Sequence, residues 1–160
     1  PQVSNELPIP SAIGQGTHSY TTSQLARYAT VLASSGNVYN LSLLDKSTDS
    51  DGNLIEDYTP ETSSQIEAKT STWDAVQSGI RRVVTEGSAK SVFAGSHVEV
   101  AGKTGTAEYS MDSSSQNHSW FVGFSNVDNP ELVVSVIVEQ SDGNTKAVNV
   151  AKSIFDSYYY

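Results

Sequence analysis

The sequence predicts an α+β domain: helical segments first, then a three-stranded antiparallel sheet, then a closing helix packed on it. Three observations carry this. Apolar residues recur at helical spacing in Thr22–Ser35 and Thr72–Glu86. Three strand-like stretches, Val98–Tyr109, Ser119–Val127 and Leu132–Gln140, crowd into the second half. The chain then closes with Ala147, Val148, Ala151, Ile154, Phe155 and Tyr158, again at helical spacing. With 160 residues and 17.1 kDa, one domain is expected, and two comfortable ones are excluded. A chain of this length buries about two-thirds of its unfolded surface and needs no metal or disulfide to fold.

Each element has a local reason. Pro1–Gly16 carries three prolines and two glycines and reads as irregular lead-in. Thr21 and Gln24 fit a capping box for the first helix, whose face is Leu25, Ala29, Leu32 and Ala33, with Gly36 as its stop. Val38–Asp45 is strand-like, Ser47–Asn53 is a turn, and Leu54–Tyr58 returns, which predicts a β-hairpin. The second helix has Trp73, Val76, Ile80, Val83 and Val84 on one face and Gly87 just past its end. Asp112–Gln116 reads as a polar loop. Asp128-Asn129-Pro130 is short enough to make the last two strands a hairpin, and Leu132–Val138 is nearly all apolar, as a strand covered on both faces should be.

Composition excludes whole classes. The absence of cysteine removes thiol catalysis, disulfide scaffolds, thiolate zinc sites and iron–sulfur clusters. It also fits a protein outside the cytoplasm built without disulfides. A net charge of −9 argues against binding nucleic acid through its phosphates. No apolar run reaches the length of a membrane span, and Pro1–Pro10 has no signal-peptide pattern, so any anchor is expected outside this chain. Serine and threonine supply 39 of the 160 residues, so a reactive hydroxyl has to be found by motif rather than by scarcity.

The strongest motif is Gly102-Lys103-Thr104-Gly105-Thr106, at the end of a predicted strand. A phosphate loop fails on spacing, because His97 stands where its first glycine belongs. A Lys-Thr-Gly strand of a serine acyl-transferase fits better. Lys103 supplies charge, Thr104 and Thr106 supply directional hydroxyl donors, and Gly105 lets a ligand approach the backbone. Such a wall suits a substrate carrying a carboxylate. A solvated strand edge is the competing structural reading.

Weaker candidates have simpler explanations. Asp49-Ser50-Asp51-Gly52 resembles a calcium loop, yet the twelfth position of that alignment is Tyr58, so the bidentate acid is missing. His18, His97 and His118 are too scattered for a metal site, and His118 reads as a packed or hydrogen-bonded histidine. Trp73, Trp120 and Tyr158–Tyr160 read as core or surface aromatics, and Arg81-Arg82 as a solvated pair.

The run Val100–Glu108, followed by His118-Ser119-Trp120-Phe121-Val122-Gly123-Phe124, resembles the third-motif strand and its partner in penicillin-binding protein transpeptidases. Ser11-Ala12-Ile13-Gly14-Gln15-Gly16 and Thr22-Ser23-Gln24-Leu25-Ala26 resemble the stretch that leads into a helix of the same family. The match is best to the class B, monofunctional type. That family acylates a serine in a Ser-x-x-Lys motif and uses a second Ser-x-Asn motif. No Ser-x-x-Lys exists here: three residues before the six lysines stand Leu43, Ile66, Gly87, Val100, Gly143 and Asn149. Ser35-Gly36-Asn37 and Ser115-Gln116-Asn117 have the second form but fall in the wrong places. The chain is therefore expected to be the C-terminal half of a transpeptidase domain, with a helical and hairpin region at 1–97 and the strands and closing helix at 98–160.

The resemblance implies the rest. The intact protein would be a D,D-transpeptidase that crosslinks peptidoglycan stem peptides and is acylated by β-lactams, at the extracytoplasmic face of the bacterial membrane. Lys103 and Thr106 would be the catalytic residues of this chain, and Thr104, Gly105 and Thr106 would bind substrate, with no cofactor or metal. Two strands of a five-stranded sheet would come from the missing N-terminal half. Leu132–Gln140 would then be a bare edge through which the chain could self-associate. The alternative is a non-catalytic module that binds a peptide by strand addition.

Overall fold

The computed structural model describes residues 12–15, 19–111, 114–141, 143 and 145–160. Most of the Pro1–Gly16 lead-in lies outside them. In chain order the elements are α1 (Thr22–Ala33), β1 (Asn37–Tyr39), β2 (Lys46–Thr48), β3 (Leu54–Asp57), β4 (Thr62–Gln65), α2 (Thr70–Thr85), α3 (Lys90–Phe93), β5 (Val100–Met111), β6 (Ser114–Ser125), β7 (Val133–Ser141) and α4 (Lys146–Tyr158). The architecture is the α+β plan expected, with β5-β6-β7 as an antiparallel sheet and α4 packed on it.

The capping box is present at α1: Gln24 N–H donates to Thr21 Oγ1 at 3.2 Å, and Thr21 N–H to Gln24 Oε1 at 3.0 Å. The helix stop differs from expectation in one respect. Ser35 takes the left-handed position just past the cap (φ 53°), Gly36 follows at φ 111°, and Gly36 N–H returns to the Val31 carbonyl at 2.9 Å. Gly36 is needed for a second reason, since a Cβ there would lie 2.3 Å from the Ile66 carbonyl oxygen.

The predicted hairpin forms with β3 as its returning strand, as expected, but its first strand is β2. Val38–Asp45 is not one strand. Its first residues, in β1, pair with β4, and the hairpin is β2 with β3. Arg27 of α1 explains the split: it donates to the Tyr39 carbonyl at 2.6 Å and to Ser63 Oγ at 3.0 Å, holding β1 and β4 together beside the helix. The turn at Asp49 is built by its own carboxylate, which accepts from Asp51 N–H, Asn53 N–H and the Asn53 amide at 2.8–2.9 Å. Those bonds hold the Asp49 carboxyl below the usual carboxylate range, the Asn53 side chain contributing most. Among the described residues no group of acids and histidines could hold a metal.

In the sheet, β5 and β6 pair without interruption from Val100↔Ser125 to Met111↔Ser114. The expected Asp112–Gln116 loop is therefore shorter, because Ser114–Gln116 continue β6; backbone pairing does not require apolar side chains. The Asp128–Pro130 turn then brings back β7, from Phe124↔Val133 to Asn117↔Ser141. Of Leu132–Val138 only Val134 is buried; the rest are half-buried, because β7 is the last strand of the sheet among the described residues.

Two cores sandwich the sheet. On one face Val100, Phe121 and Val134 meet Val84, Ala89, Phe93, Ala147, Val148, Ala151 and Phe155. On the other, Ala101 and Phe124 meet Ala33 of α1. Full burial of an aromatic such as Phe121 or Phe155 stabilises by about 2–3 kcal/mol. The short helix α3 was not foreseen; Phe93 carries it into the core, with its ring 5.8 Å from that of Phe121. The closing helix is fixed at both ends by the sheet. Ala147 N–H donates to Ser119 Oγ at 3.1 Å, and Tyr159 Oη bonds Ser125 Oγ. Burial raises the Tyr159 phenol above its ordinary value.

Candidate active site

Strand β5 is held on one edge only by another strand, and this decides what the Lys-Thr-Gly segment can present. Asn126 N–H donates to the Glu99 carbonyl at 2.7 Å, on the side of β6. Arg81 of α2 donates to the Val100 carbonyl at 2.6 Å. Successive peptide groups of a strand point to opposite sides, and the β5–β6 register is unbroken. The N–H and C=O groups of Gly102, Thr104 and Thr106 therefore face away from β6. Among the described residues no strand takes that edge. Lys103 already uses part of it, its Nζ donating to the Thr104 carbonyl at 2.7 Å.

The side chains of the motif alternate. Thr104 and Thr106 share the face of Phe121 and Ser119, and Lys103 and Gly105 share the face of Val122 and Trp120. All four residues line one cleft of about 430 Å³, closed by Ile13, Gln15, Tyr20 and Leu25 and by Trp120. Lys103 and Thr106 are exposed, and Thr104 and Gly105 half-buried. Lys103 is the one charged side chain among the described residues lining it. In a chain of net charge −9, that is a local positive site on an acidic protein.

Thr104 is not free to turn at will. Its Oγ1 lies 2.7 Å from Ser88 Oγ, beyond the end of α2. Gly105 has a reason beyond ligand approach, because a Cβ there would sit 3.1 Å from Trp120 Cβ across the hairpin. Glu108 is exposed and does not line the cleft.

Sequence reasoning missed Trp120, Tyr20 and Leu25 as cleft residues. A signal existed for Trp120, which follows from pairing the two predicted strands so that it faces Gly105. None existed for Tyr20, which depends on how the segment before α1 returns to the sheet. The two Ser-x-Asn segments are far from acting as a site. Ser35 and Asn37 close the end of α1, Asn37 Nδ2 donating to the Ser34 carbonyl at 3.1 Å, and Ser115–Asn117 belong to β6. His118 is hydrogen-bonded as expected, its Nδ1 accepting from Gln140 N–H at 3.1 Å.

The family profile described as the penicillin-binding protein transpeptidase domain matches residues 4–159. The peptidoglycan D,D-transpeptidase MrdA of Haemophilus influenzae is 32% identical over 167 residues, covering 94% of this chain and 25% of that protein. Penicillin-binding protein 2A of Bacillus subtilis is 29% identical over 165 residues, covering 92% of this chain and 23% of that one. The chain thus spans about a quarter of these relatives. Among solved structures, PBP2 of Pseudomonas aeruginosa, in complex with WCK 5153, superposes with a TM-score of 0.73 at 33% identity, covering 91% of this chain and 32% of that one. Penicillin-binding protein 2B of Streptococcus pneumoniae, at 24% identity, shows the same fold with a TM-score of 0.75 over 87% of this chain and 24% of that one. A motif strand with an open edge, a lysine-bearing cleft and a profile match over nearly the whole chain lead to one assignment: the chain belongs to the penicillin-binding protein transpeptidase family.

Proposed function

We propose that this chain supplies the Lys-Thr-Gly wall of a D,D-transpeptidase whose nucleophile lies elsewhere in the full-length protein, in the N-terminal half of the domain. The observation that carries the reading is the open edge of β5, where the Thr106 N–H and the Lys103 ammonium meet one cleft. The serine would attack the carbonyl of a D-Ala–D-Ala stem peptide, expel the terminal D-Ala, and pass the acyl group to an amine of a second stem. Thr106 N–H, with the serine's own N–H, would hold the oxyanion, one such donor contributing about 2.7–4 kcal/mol to the transition state. Lys103 and the hydroxyls of Thr104 and Thr106 would hold the substrate carboxylate, and Lys103 would tune the proton network of the serine. β-Lactams would acylate the same serine, on the extracytoplasmic face of a bacterial membrane.

Intact-mass spectrometry with a penicillin tests this. The 160-residue chain should take no adduct, and the full-length protein should take one on a serine outside it. Lys103→Ala in that protein should slow acylation about a hundred- to a thousandfold with its melting unchanged. Unchanged acylation would remove Lys103 from the site. A stoichiometric adduct on the 160-residue chain would show that its nucleophile lies here after all. Peptide binding without covalent capture by the full-length protein would favour a strand-addition module.

The same reading assigns the far edge of the sheet. Strand β7 has an unpaired edge among the described residues, with no lysine or proline in Leu132–Val138. Beside it, α4 exposes the stripe Val150, Ile154 and Tyr158, 41–58% accessible. The remaining strands of the domain would cover both, and the isolated chain would dimerise there. Light scattering with amide exchange across Val133–Ile137 checks this; a monomer with fast-exchanging amides would refute it.

A further inference from the structure

We infer that Ser88 is a positioning residue for the motif strand, fixing the hydroxyl of Thr104 for a ligand carboxylate; this rests on the acyl-transfer reading above. Ser88 belongs to no motif and lies 16 residues before Thr104, yet its Oγ is 2.7 Å from Thr104 Oγ1. Threonine has two branches at Cβ, and rotation about χ1 decides whether hydroxyl or methyl faces a given direction. The bond to Ser88 selects the hydroxyl.

The turn that presents Ser88 is itself rigid. Glu86 N–H and Gly87 N–H both return to the Arg82 carbonyl, at 2.8 and 2.9 Å, and Ala89 N–H to the Val83 carbonyl at 3.1 Å. Ala89 is wholly buried, so the residue after Ser88 is anchored in the core. Gly87 allows the turn to lie this close, since a Cβ there would be 3.0 Å from Val83 Cα. Arg81, on the same helix, binds the Val100 carbonyl at 2.6 Å and Glu99 at 3.3 Å. The end of α2 therefore grips β5 twice, before the motif at Val100 and within it at Thr104.

A hydroxyl has one proton and two acceptor sites. Either hydroxyl can donate in this pair, and an anion accepting from Thr104 selects the arrangement in which Ser88 donates to Thr104. Without Ser88, the Thr104 proton has no fixed direction. The consequence is specific to the ligand's carboxylate, which separates positioning from a general structural role.

The test uses the full-length protein and two probes, a penicillin and its methyl ester. Ser88→Ala should slow acylation by the free acid about tenfold and by the ester less than twofold, the size of one hydrogen bond. Ser88→Thr, which keeps the hydroxyl, should restore the acid rate. Ser88→Ala should add nothing in a Thr104→Val background. Equal loss with both probes, or no rescue by threonine, would overturn the proposal. A second readout does not depend on acylation: three-bond couplings should show Thr104 χ1 fixed in the parent and averaged in Ser88→Ala. A protein that no penicillin acylates would sink the acyl-transfer reading instead, and a χ1 unchanged by Ser88→Ala would sink this one.

Discussion

The sheet with its closing helix and the region of short strands at 37–65 are held together by different forces. In the first, Phe121, Phe155, Val100 and Val148 are at most 1% accessible, and the motif strand begins inside that core. In the second, every residue of β3 and β4 is exposed, Leu54 and Ile55 to 59% and 67%. What fixes it is backbone pairing, the Arg27 clamp and the Asp49 turn. The lesson is where precision is located. The motif residues that need ångström placement stand on the packed part.

The sharpest way to break this contrast is a pair of truncations. Phe121→Ala should cost about 3–5 kcal/mol, a large share of a domain's stability, and Ile55→Ala less than about 0.5 kcal/mol. Comparable shifts of the two in urea titrations would erase the distinction. Gly123→Ala comes next, at about 1–3 kcal/mol, since its Cβ would lie 2.4 Å from the Ala101 carbonyl oxygen, where only backbone could yield. Thermal melting reads it directly. Ser119→Ala should cost about 1 kcal/mol, and its effect should appear as faster amide exchange in the first turn of α4. The smallest effect is acidic. The bond from Lys152, helped by Ser96, holds the Asp156 carboxyl below its ordinary value. A carboxyl lowered by folding stabilises above its unfolded pKa of about 3.9, and that contribution fades as pH falls through the native value. Asp156→Asn should therefore lower stability slightly at pH 7, and the two proteins should converge as pH falls below about 4.

Legibility in the sequence followed the same division. The three sheet strands and the three long helices are legible within a few residues, because their apolar periodicity is what their burial requires. The pairing of β1 with β4 was not legible. It depends on Arg27 reaching across to Tyr39 and Ser63, and a surface arginine carries no pattern that announces such a reach. In the cleft, Lys103 to Thr106 were found because they are contiguous. Tyr20 and Leu25 were not, since only tertiary folding brings the start of α1 against β5 and β6. Ser88 was hidden for the same reason, as one hydroxyl in a chain rich in them.

The bond from Ala147 to Ser119 reaches further than its energy. Helix α4 has no side-chain cap of its own at Thr145, and its first turn is completed by a strand residue 28 positions earlier. Side chains alternate along that strand, so a one-residue slip of β6 would turn Ser119 to the opposite face. Ala147 would then meet no hydroxyl. The helix that packs on the sheet thus closes well on one strand alignment and poorly on its neighbours, and so favours the pairing on which the cleft is built.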